Sequence, residues 1–199
     1  MDRRDVEILA RETAYDGYFR IDRYRLRHRR HEGGWTREIT REVFERGHVA
    51  AVLPYDPDRD AVILIEQFRI GAYAAGEPCW LTEIVAGVID EGETAAVVAR
   101  REMEEETGRS VTSLEPIGSY FSSPGGASEL VSLYVGRADS RGAGGIHGLA
   151  GEEEDIRVIV RSWPEVEAGL GSGMFTNAAT LIALQWLALN RARLRERWR

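Results

Sequence analysis

The amino-acid sequence predicts an α+β protein in which a mixed sheet is combined with helices and a small antiparallel sheet precedes it. Residues 1–46 alternate between apolar and charged side chains, as strands with one polar face do. From residue 48 onward, strongly apolar strand-like segments are mixed with helical segments. A chain of 199 residues, 43% of them hydrophobic, suits one main domain with a smaller appendage. We therefore place an N-terminal β-sheet region at residues 1–46 and the main domain at residues 47–199.

The N-terminal region is predicted to form antiparallel strands. Residues 18–26 alternate clearly, Gly33 and Gly34 mark a hairpin turn, and a return strand follows over residues 39–44. A sheet of this kind has few fully buried positions and is marginally stable alone. We therefore expect it to pack on a partner.

The main domain is predicted to contain strands at residues 49–53, 61–67, 83–86, 116–121, 130–135 and 156–160. Its predicted helices cover residues 94–107, closed by Gly108, and residues 176–197. Residues 141–155 hold five glycines and four acids, and such a long irregular connection is often functional.

Composition excludes several classes of function. The 26 basic and 33 acidic residues give a net charge of −7, which argues against a nucleic-acid partner. All 26 bases are arginine, so Schiff-base chemistry and a phosphate-binding P-loop lysine are excluded. Cys79 is the only cysteine, which rules out an internal disulfide and a thiolate zinc cluster. Small molecules or proteins are the partners that this composition favours.

Neither a signal peptide nor a membrane span is predicted. The N-terminus is charged and leads into no long apolar run. The most apolar segment, residues 178–189, is shorter than the roughly 20 residues that a bilayer span requires, and Gln185 interrupts it. We therefore expect a cytoplasmic protein with no membrane partner.

Three glutamates share the apolar face of the helix predicted at residues 94–107. On a helical wheel, Glu105 and Glu106 lie within about 60° of Glu102, on the side that also holds Val98. An ordinary amphipathic helix places acids on the opposite side. Two carboxylates about 5 Å apart repel by about 3 kcal/mol at an effective dielectric constant of about 20, so this face requires a cation. Oxygen ligands favour Mg²⁺, or alternatively Mn²⁺, over zinc, and such ions act in phosphoryl or diphosphate hydrolysis.

The surrounding motif resembles the signature of the Nudix hydrolases. It consists of Gly87, then Glu93 after five residues, then REMEEETG at residues 101–108 after seven more. The resemblance implies a Nudix-type α/β/α sandwich with a mixed sheet. It also implies that Glu102, Glu106 and the carbonyl of Ala86 bind the metal ion.

The same resemblance assigns neighbouring side chains. Glu105 stands beside the metal ligands as a catalytic residue. Glu93 is expected to anchor Arg101 near the helix start, and a role as a metal ligand is its less favoured alternative. Arg109 departs from the family, which usually has an aliphatic residue there, so we expect Val111 to fill that part of the core.

Other parts of the chain resemble the bacterial ADP-ribose pyrophosphatase branch of this family. Pro124 lies sixteen residues after Gly108, where that branch carries a proline, and similar segments cover nearly the whole chain. The resemblance implies Mg²⁺-dependent hydrolysis of ADP-ribose to AMP and ribose 5-phosphate by a homodimer with shared active sites. A pyrophosphatase for another nucleoside diphosphate sugar and a non-catalytic ADP-ribose sensor are the alternatives.

Residues outside the signature are assigned to the substrate. Tyr18 is expected to stack on adenine and Arg41 to cover its other face from the partner chain, with plain surface packing as the alternative for both. Arg69, at the end of a predicted core strand, is expected to bind phosphate oxygens. Glu129, directly before the strand predicted at residues 130–135, is assigned to substrate binding as well.

The acidic loop at residues 151–155 is expected to activate the attacking water. By position, and because the branch uses a glutamate of this loop, we assign Glu152 as general base and Glu154 as an additional metal ligand. Adjacent glutamates leave the register open, so Glu153 is an alternative base, and a solvated acidic loop is the plain alternative. His147, just upstream, is expected to be structural.

Overall fold

The computed structural model describes residues 1–149, 151 and 153–198, and the chain divides into two compact units. The first comprises Met1–His48 with Phe121–Leu130, and the second comprises Val49–Tyr120 with the chain from Val131 onward. The sequence did not associate Phe121–Leu130 with the N-terminal region. The assignment of residues 1–46 to dimerisation and of residues 47–199 to hydrolysis stays a prediction.

The first unit is built on an antiparallel sheet. Its strands are β1 (Val6–Asp16), β2 (Arg20–His28) and β3 (Ile39–Glu45), paired in that order. The predicted hairpin turn is present: Gly33 and Gly34 have φ angles of 91° and 74°, which glycine adopts without strain. The bounds of β1 have no clear sequence signal, because register shifts after Ile8 and Thr13 interrupt its period of two.

The second unit is built on a mixed sheet. Its strands are β4 (Val49–Asp56), β5 (Ala61–Phe68), β6 (Trp80–Glu83), β7 (Val85–Val88), β8 (Ser113–Phe121), β9 (Leu130–Arg137), β10 (Gly145–His147) and β11 (Ile156–Ser162). The main path is β10-β11-β5-β4-β9-β8, with β6 paired to β5 and β7 paired to β4. β4 is parallel to β9 and antiparallel to β7. Because Gly87 pairs with Ala50, the chain leaves β7 at the end of the sheet where β4 begins.

Helices cover both faces of this sheet. They are α1 (Ile70–Ala74), α2 (Ala95–Thr107), α3 (Trp163–Ser172) and α4 (Ala178–Trp198). On one face, Val98 of α2 packs in a buried cluster with Val52. On the other face, Trp163 of α3 and Leu184 of α4 pack in a cluster with Leu53. Val52 and Leu53 are adjacent in β4, so their side chains point to opposite faces of the sheet. The predicted α/β/α sandwich with a mixed sheet is therefore confirmed.

Several short elements differ from the sequence prediction. The strand predicted at residues 83–86 is two strands, β6 and β7, which pair with different neighbours. α1 has five residues, too few for a helical period to show in the sequence. α3 was not predicted because Gly169 and Gly171 lower its helix propensity, although Ser162 and Glu165 form a capping box at its start. Among the described residues, no helix combines the length and apolar character of a membrane span.

Candidate active site

Helix α2 turns acidic side chains towards the sheet. Thr94 caps its start, with Oγ1 accepting a hydrogen bond from the Val97 N–H at 3.4 Å, and Gly108 ends it with a φ of 62°. Both ends agree with the sequence prediction. Between them, Glu106 is 4% exposed and the side chain of Glu102 is 14% exposed. The helix thus buries Glu106 and covers most of Glu102 on a face where an amphipathic helix places apolar residues.

Gly87 of β7 leaves the space that the Glu102 carboxylate occupies. A Cβ atom built on Gly87 would lie 1.8 Å from Oε1 of Glu102, far inside van der Waals contact. Any side chain at this position would therefore push the Glu102 carboxylate away from β7. The first residue of the sequence signature is thus explained by the close approach of helix and strand.

Glu106 lies deeply buried beside β7, where its Oε2 accepts a hydrogen bond from the Ala86 N–H at 3.3 Å. Burial raises the pKa of Glu106 to about 8, and the negative charge of Glu102 adds to this rise. The Ala86 hydrogen bond and the positive charge of Arg69 lower the pKa, whereas the charge of Glu154 raises it. At neutral pH this carboxyl therefore favours a proton or a bound cation.

Arg101 ties three carboxylates of the signature together. Its guanidinium donates to Glu102 at 2.8 Å, to Glu105 at 3.0 Å and to Glu93 at 3.3 Å. The last contact is the one predicted for Glu93, which also accepts a hydrogen bond from the Asp90 N–H at 3.2 Å. Burial raises the pKa of Glu102, and the charge of Arg101 opposes that rise. Arg101 therefore holds the loop after β7 against α2 and neutralises part of the acidic face.

The oxygen atoms around Glu102 and Glu106 suit a hard divalent cation. Among the residues that the structure describes, no three acid, histidine or cysteine side chains already converge as a complete cation site. In this arrangement Arg101 holds an oxygen of Glu102. Two features nevertheless fit Mg²⁺ or Mn²⁺, namely the buried Glu106 carboxyl with its raised pKa and the space beside Gly87 that the Glu102 carboxylate occupies. Hard ions of this kind bind carboxylate and backbone carbonyl oxygens. Glu102, Glu106 and the carbonyl of Ala86 are therefore able to hold such an ion.

The loop between β10 and β11 brings a further acid towards this site. Oε2 of Glu154 accepts a hydrogen bond from the Leu149 N–H at 3.1 Å. The charge of Glu154 is one of those that raise the pKa values of Glu102 and Glu106. Glu153 has a positive φ of 54°, which marks a tight turn in the loop. Glu152, the predicted general base, lies outside the described residues.

Two smaller expectations about the end of α2 agree with the structure. Nε2 of His147 lies 3.0 Å from the Gly144 carbonyl oxygen, and a Cβ atom on Gly108 would lie 2.9 Å from its ring, so this histidine packs as a structural residue. Val111 is buried in the core cluster of α2, as the departure at Arg109 led us to expect.

Arg69 and Glu83 form a charged pair next to the site. Arg69 directly precedes α1, and its half-exposed side chain donates from Nε to Oε2 of Glu83 at 2.9 Å. Glu83 ends β6, is 3% exposed, and accepts a hydrogen bond on Oε1 from Nδ2 of Asn177 at 2.8 Å. Neither Glu83 nor Asn177 was predicted from the sequence to lie beside this site. The available signals were an acid at the end of a buried strand and an asparagine directly before an apolar helix.

The remaining predicted substrate residues, Tyr18, Arg41 and Glu129, lie in the first unit. Tyr18 is 95% exposed, and its ring stands edge-on to Phe19 with 4.7 Å between centroids. Glu129 is buried and ion-paired with Arg46 at 2.8 Å, and the Arg46 guanidinium lies 5.8 Å from the Phe19 centroid. The structure therefore links Tyr18 and Glu129 through two intervening side chains. Arg41 lies on β3, where Nη1 donates to the carbonyl of the preceding residue at 2.8 Å.

Comparisons with known proteins identify the family of this chain and several similar proteins. Residues 45–196 match the NUDIX domain family. The ADP-ribose pyrophosphatase of Escherichia coli (strain K12) is 52% identical over 196 residues, which cover 98% of this chain and 94% of that protein. The ADP-ribose pyrophosphatase of Haemophilus influenzae is 42% identical, covering 98% of this chain and 92% of that protein. The GDP-mannose pyrophosphatase of Cronobacter sakazakii is 32% identical, covering 93% of this chain and 96% of that protein.

One solved structure, described as the crystal structure of ADP compounds hydrolase, shares the fold. It superposes with a TM-score of 0.71 and covers 97% of this chain and 96% of that chain. Its sequence identity is 21%, so the likeness concerns the fold alone.

Proposed function

The chain belongs to the NUDIX family, and on that premise we propose that it hydrolyses the diphosphate bond of ADP-ribose to AMP and ribose 5-phosphate. The observation that carries this proposal is the pair of carboxylates beside β7, the buried Glu106 and the partly buried Glu102, for which Gly87 leaves room. Identity of 52% over nearly the full chain to a protein named ADP-ribose pyrophosphatase supports ADP-ribose as the substrate. A chain of net charge −7 also suits a small-molecule substrate, and we expect no nucleic-acid partner.

We infer Mg²⁺ as the cofactor, with Mn²⁺ as the alternative. Glu102, Glu106 and the carbonyl of Ala86 would hold the ion, and Glu154 would contribute from the loop before β11. Bound there, the ion neutralises the diphosphate and makes it a better target for water. Because burial raises the pKa of Glu106, that carboxyl gains its charge most readily when a cation accompanies it.

The remaining chemistry is assigned to side chains of this protein. Glu152 is the general base: it takes a proton from the attacking water as the water oxygen bonds to one phosphorus and the bond to the bridging oxygen breaks. Glu105, whose side chain is 29% exposed, is the second proposed catalytic carboxylate. Arg69 is assigned to the phosphate oxygens, because a guanidinium offers paired donors to them.

We propose a homodimer in which the two chains share their active sites. Tyr18 would stack on the adenine, and Arg41 of the partner subunit would cover its other face. Glu129, linked to Tyr18 within the first unit, is assigned to the same substrate. Support comes from the apolar side chains that the first unit leaves exposed, namely Val6, Ile8, Leu9 and Tyr18. A cytoplasmic location stays a prediction.

Substrate preference separates this proposal from its nearest rival. A relative named GDP-mannose pyrophosphatase is 32% identical, so another nucleoside diphosphate sugar is the second candidate. With Mg²⁺ present, we expect kcat/KM to be higher for ADP-ribose than for GDP-mannose. The reverse order would favour the rival, and tight binding of ADP-ribose without products would favour a non-catalytic sensor.

A further inference from the structure

Asn177 makes two sets of contacts at the start of α4. Its Oδ1 accepts hydrogen bonds from the N–H and the hydroxyl of Thr180, each at 3.0 Å, which is the arrangement of a helix N-cap. Because Oδ1 faces these donors, Nδ2 faces Glu83 and donates to its Oε1 at 2.8 Å. The Thr180 hydroxyl in turn accepts a hydrogen bond from the Ile84 N–H at 3.0 Å. The orientation of the Asn177 amide is therefore fixed from both sides.

The carboxylate of Glu83 connects this cap to Arg69. Glu83 is 3% exposed, and its Oε2 accepts a hydrogen bond from Nε of Arg69 at 2.9 Å while Oε1 is bonded to Asn177. A buried carboxylate bonded on both oxygens cannot rotate without losing one of these bonds. The Arg69 side chain, in contrast, is 44% exposed. Its guanidinium therefore extends from a fixed buried acid to the surface.

The acid that holds Arg69 lies next to the proposed metal site along the chain. Glu83 accepts from Arg69 at 2.9 Å and lies three residues before Ala86, whose N–H donates to Glu106 at 3.3 Å. A guanidinium beside the carboxylates that would hold the metal ion is well placed for a diphosphate bound to that ion.

We propose that Asn177 is a positioning residue for substrate binding, which acts through Glu83 to aim the guanidinium of Arg69 at the diphosphate. The inference rests on the proposed function, in which Arg69 binds phosphate oxygens. An arginine held in one rotamer loses less side-chain entropy on binding than a freely rotating one.

Asparagine suits both tasks better than the other common N-cap residues. Aspartate would cap α4 but would set a second carboxylate against Glu83. Serine would also cap α4, but its short side chain carries no amide donor to reach Glu83. These two substitutions therefore separate the capping task from the positioning task.

A double-mutant cycle tests the coupling between Asn177 and Arg69. The Kd of inorganic pyrophosphate is measured by titration calorimetry in the presence of Mg²⁺ for the wild type, Asn177→Ser, Arg69→Ala and the double variant. We expect Asn177→Ser to raise the Kd about tenfold in the wild-type background and less than about twofold in the Arg69→Ala background. Circular dichroism during thermal unfolding verifies that the capped helix is retained.

Two further variants make the comparison specific. Asn177→Asp keeps the cap and the side-chain size, and we expect it to weaken pyrophosphate binding at least as much as Asn177→Ser. Asn190→Ser makes the same change elsewhere on α4, where Nδ2 donates to the Trp186 carbonyl at 2.9 Å, and it should leave the Kd unchanged. Equal effects of Asn177→Ser in both backgrounds, an unchanged Kd, or no pyrophosphate binding by the wild type would overturn the inference.

Hydrolysis of ADP-ribose by the wild type is measured in a separate assay, so that the positioning role and the proposed function are tested independently. If the cycle shows the coupling but ADP-ribose is not hydrolysed, the positioning role stands and the proposed substrate is wrong. If ADP-ribose is hydrolysed but the two substitutions act additively on pyrophosphate binding, the proposed function stands and the positioning role is wrong.

Discussion

At the scale of single residues, Glu106 illustrates how burial prepares a carboxyl for a cation. The side chain lies in the interior, and the Ala86 N–H bonded to it offsets part of the loss of hydration. Burial raises the pKa of Glu106 to about 8 from an ordinary value of 4.5. Between these two values the folded protein keeps a proton that the unfolded chain has released.

Stability of the metal-free protein should therefore fall as the pH rises from about 4.5 to about 8. Below this range the carboxyl is protonated in both states. Above it the full loss in the free energy of unfolding applies, on the order of 5 kcal/mol. Glu106→Gln should flatten this part of the profile. Thermal unfolding in EDTA at about pH 5 and about pH 8 measures the effect, and the same pH dependence in wild type and variant would contradict the assigned pKa.

Gly87→Ala tests the close approach of β7 and α2. The new Cβ would lie 1.8 Å from Oε1 of Glu102, so that carboxylate must move. We expect kcat/KM to fall about tenfold or more and the required Mg²⁺ concentration to rise, with a loss of roughly 1–3 kcal/mol in the free energy of unfolding. Gly171→Ala in α3, where a Cβ meets no atom within 4 Å, is the matched control and should leave both activity measures unchanged. An unaltered metal requirement in Gly87→Ala would count against Glu102 as a ligand.

Residues with a local sequence pattern were predictable, whereas residues that meet only in the folded chain were not. Glu102 and Glu106 are predictable because a helical period places them on one apolar face. The burial of Glu106 and the partial burial of Glu102 agree with that prediction. Glu83 and Asn177 are 94 residues apart, so their hydrogen bond depends on the assembled sheet and helix rather than on any local pattern.

At the scale of elements, α2 was predictable because its ends carry capping residues, Thr94 and Gly108, and its length spans several turns. α1 has five residues, which is too short for a period to appear. The division between β6 and β7 depends on which strands they pair with, and pairing is a tertiary property that an apolar run does not reveal.

The acidic loop before β11 is tested by changing its glutamates singly. Glu152→Gln should lower kcat by orders of magnitude while ADP-ribose still binds, because a general base acts as the water attacks, and activity should partly recover at high pH. Glu154→Gln should instead raise the required Mg²⁺ concentration. Steady-state kinetics at saturating Mg²⁺ and ADP-ribose separate these effects. If Glu153→Gln loses turnover while Glu152→Gln keeps it, the base is at the neighbouring position.

At the scale of the whole molecule, the chain divides into units that the sequence only partly indicated. The alternating pattern of residues 1–46 predicted the small sheet, but the inclusion of Phe121–Leu130 in the same unit was not visible. Phe44 explains this, because its N–H donates to the Gly126 carbonyl at 2.8 Å and its carbonyl accepts from the Ser128 N–H at 3.2 Å. Such backbone contacts carry no signature in the side chains involved.

Complementation between two defective chains tests the shared active site of the proposed homodimer. Arg41→Ala removes a contribution that we assign to the partner's site, and Glu106→Gln removes one from the chain's own site. Mixed dimers of these variants would contain one intact site, so unfolding and refolding them together should restore about a quarter of wild-type activity. Each variant refolded alone is the control. Activity that never exceeds the average of the two controls would contradict sharing.

The proposed activity is one reaction that depends on one pair of carboxylates, Glu102 and Glu106. The most direct measurement is the rate at which the purified protein converts ADP-ribose to AMP and ribose 5-phosphate at saturating Mg²⁺, compared between wild type and Glu106→Gln. We predict that the wild type forms both products and that the folded variant is slower by about a hundredfold or more. Near-normal turnover by Glu106→Gln, or a wild type that forms no AMP, would contradict the account.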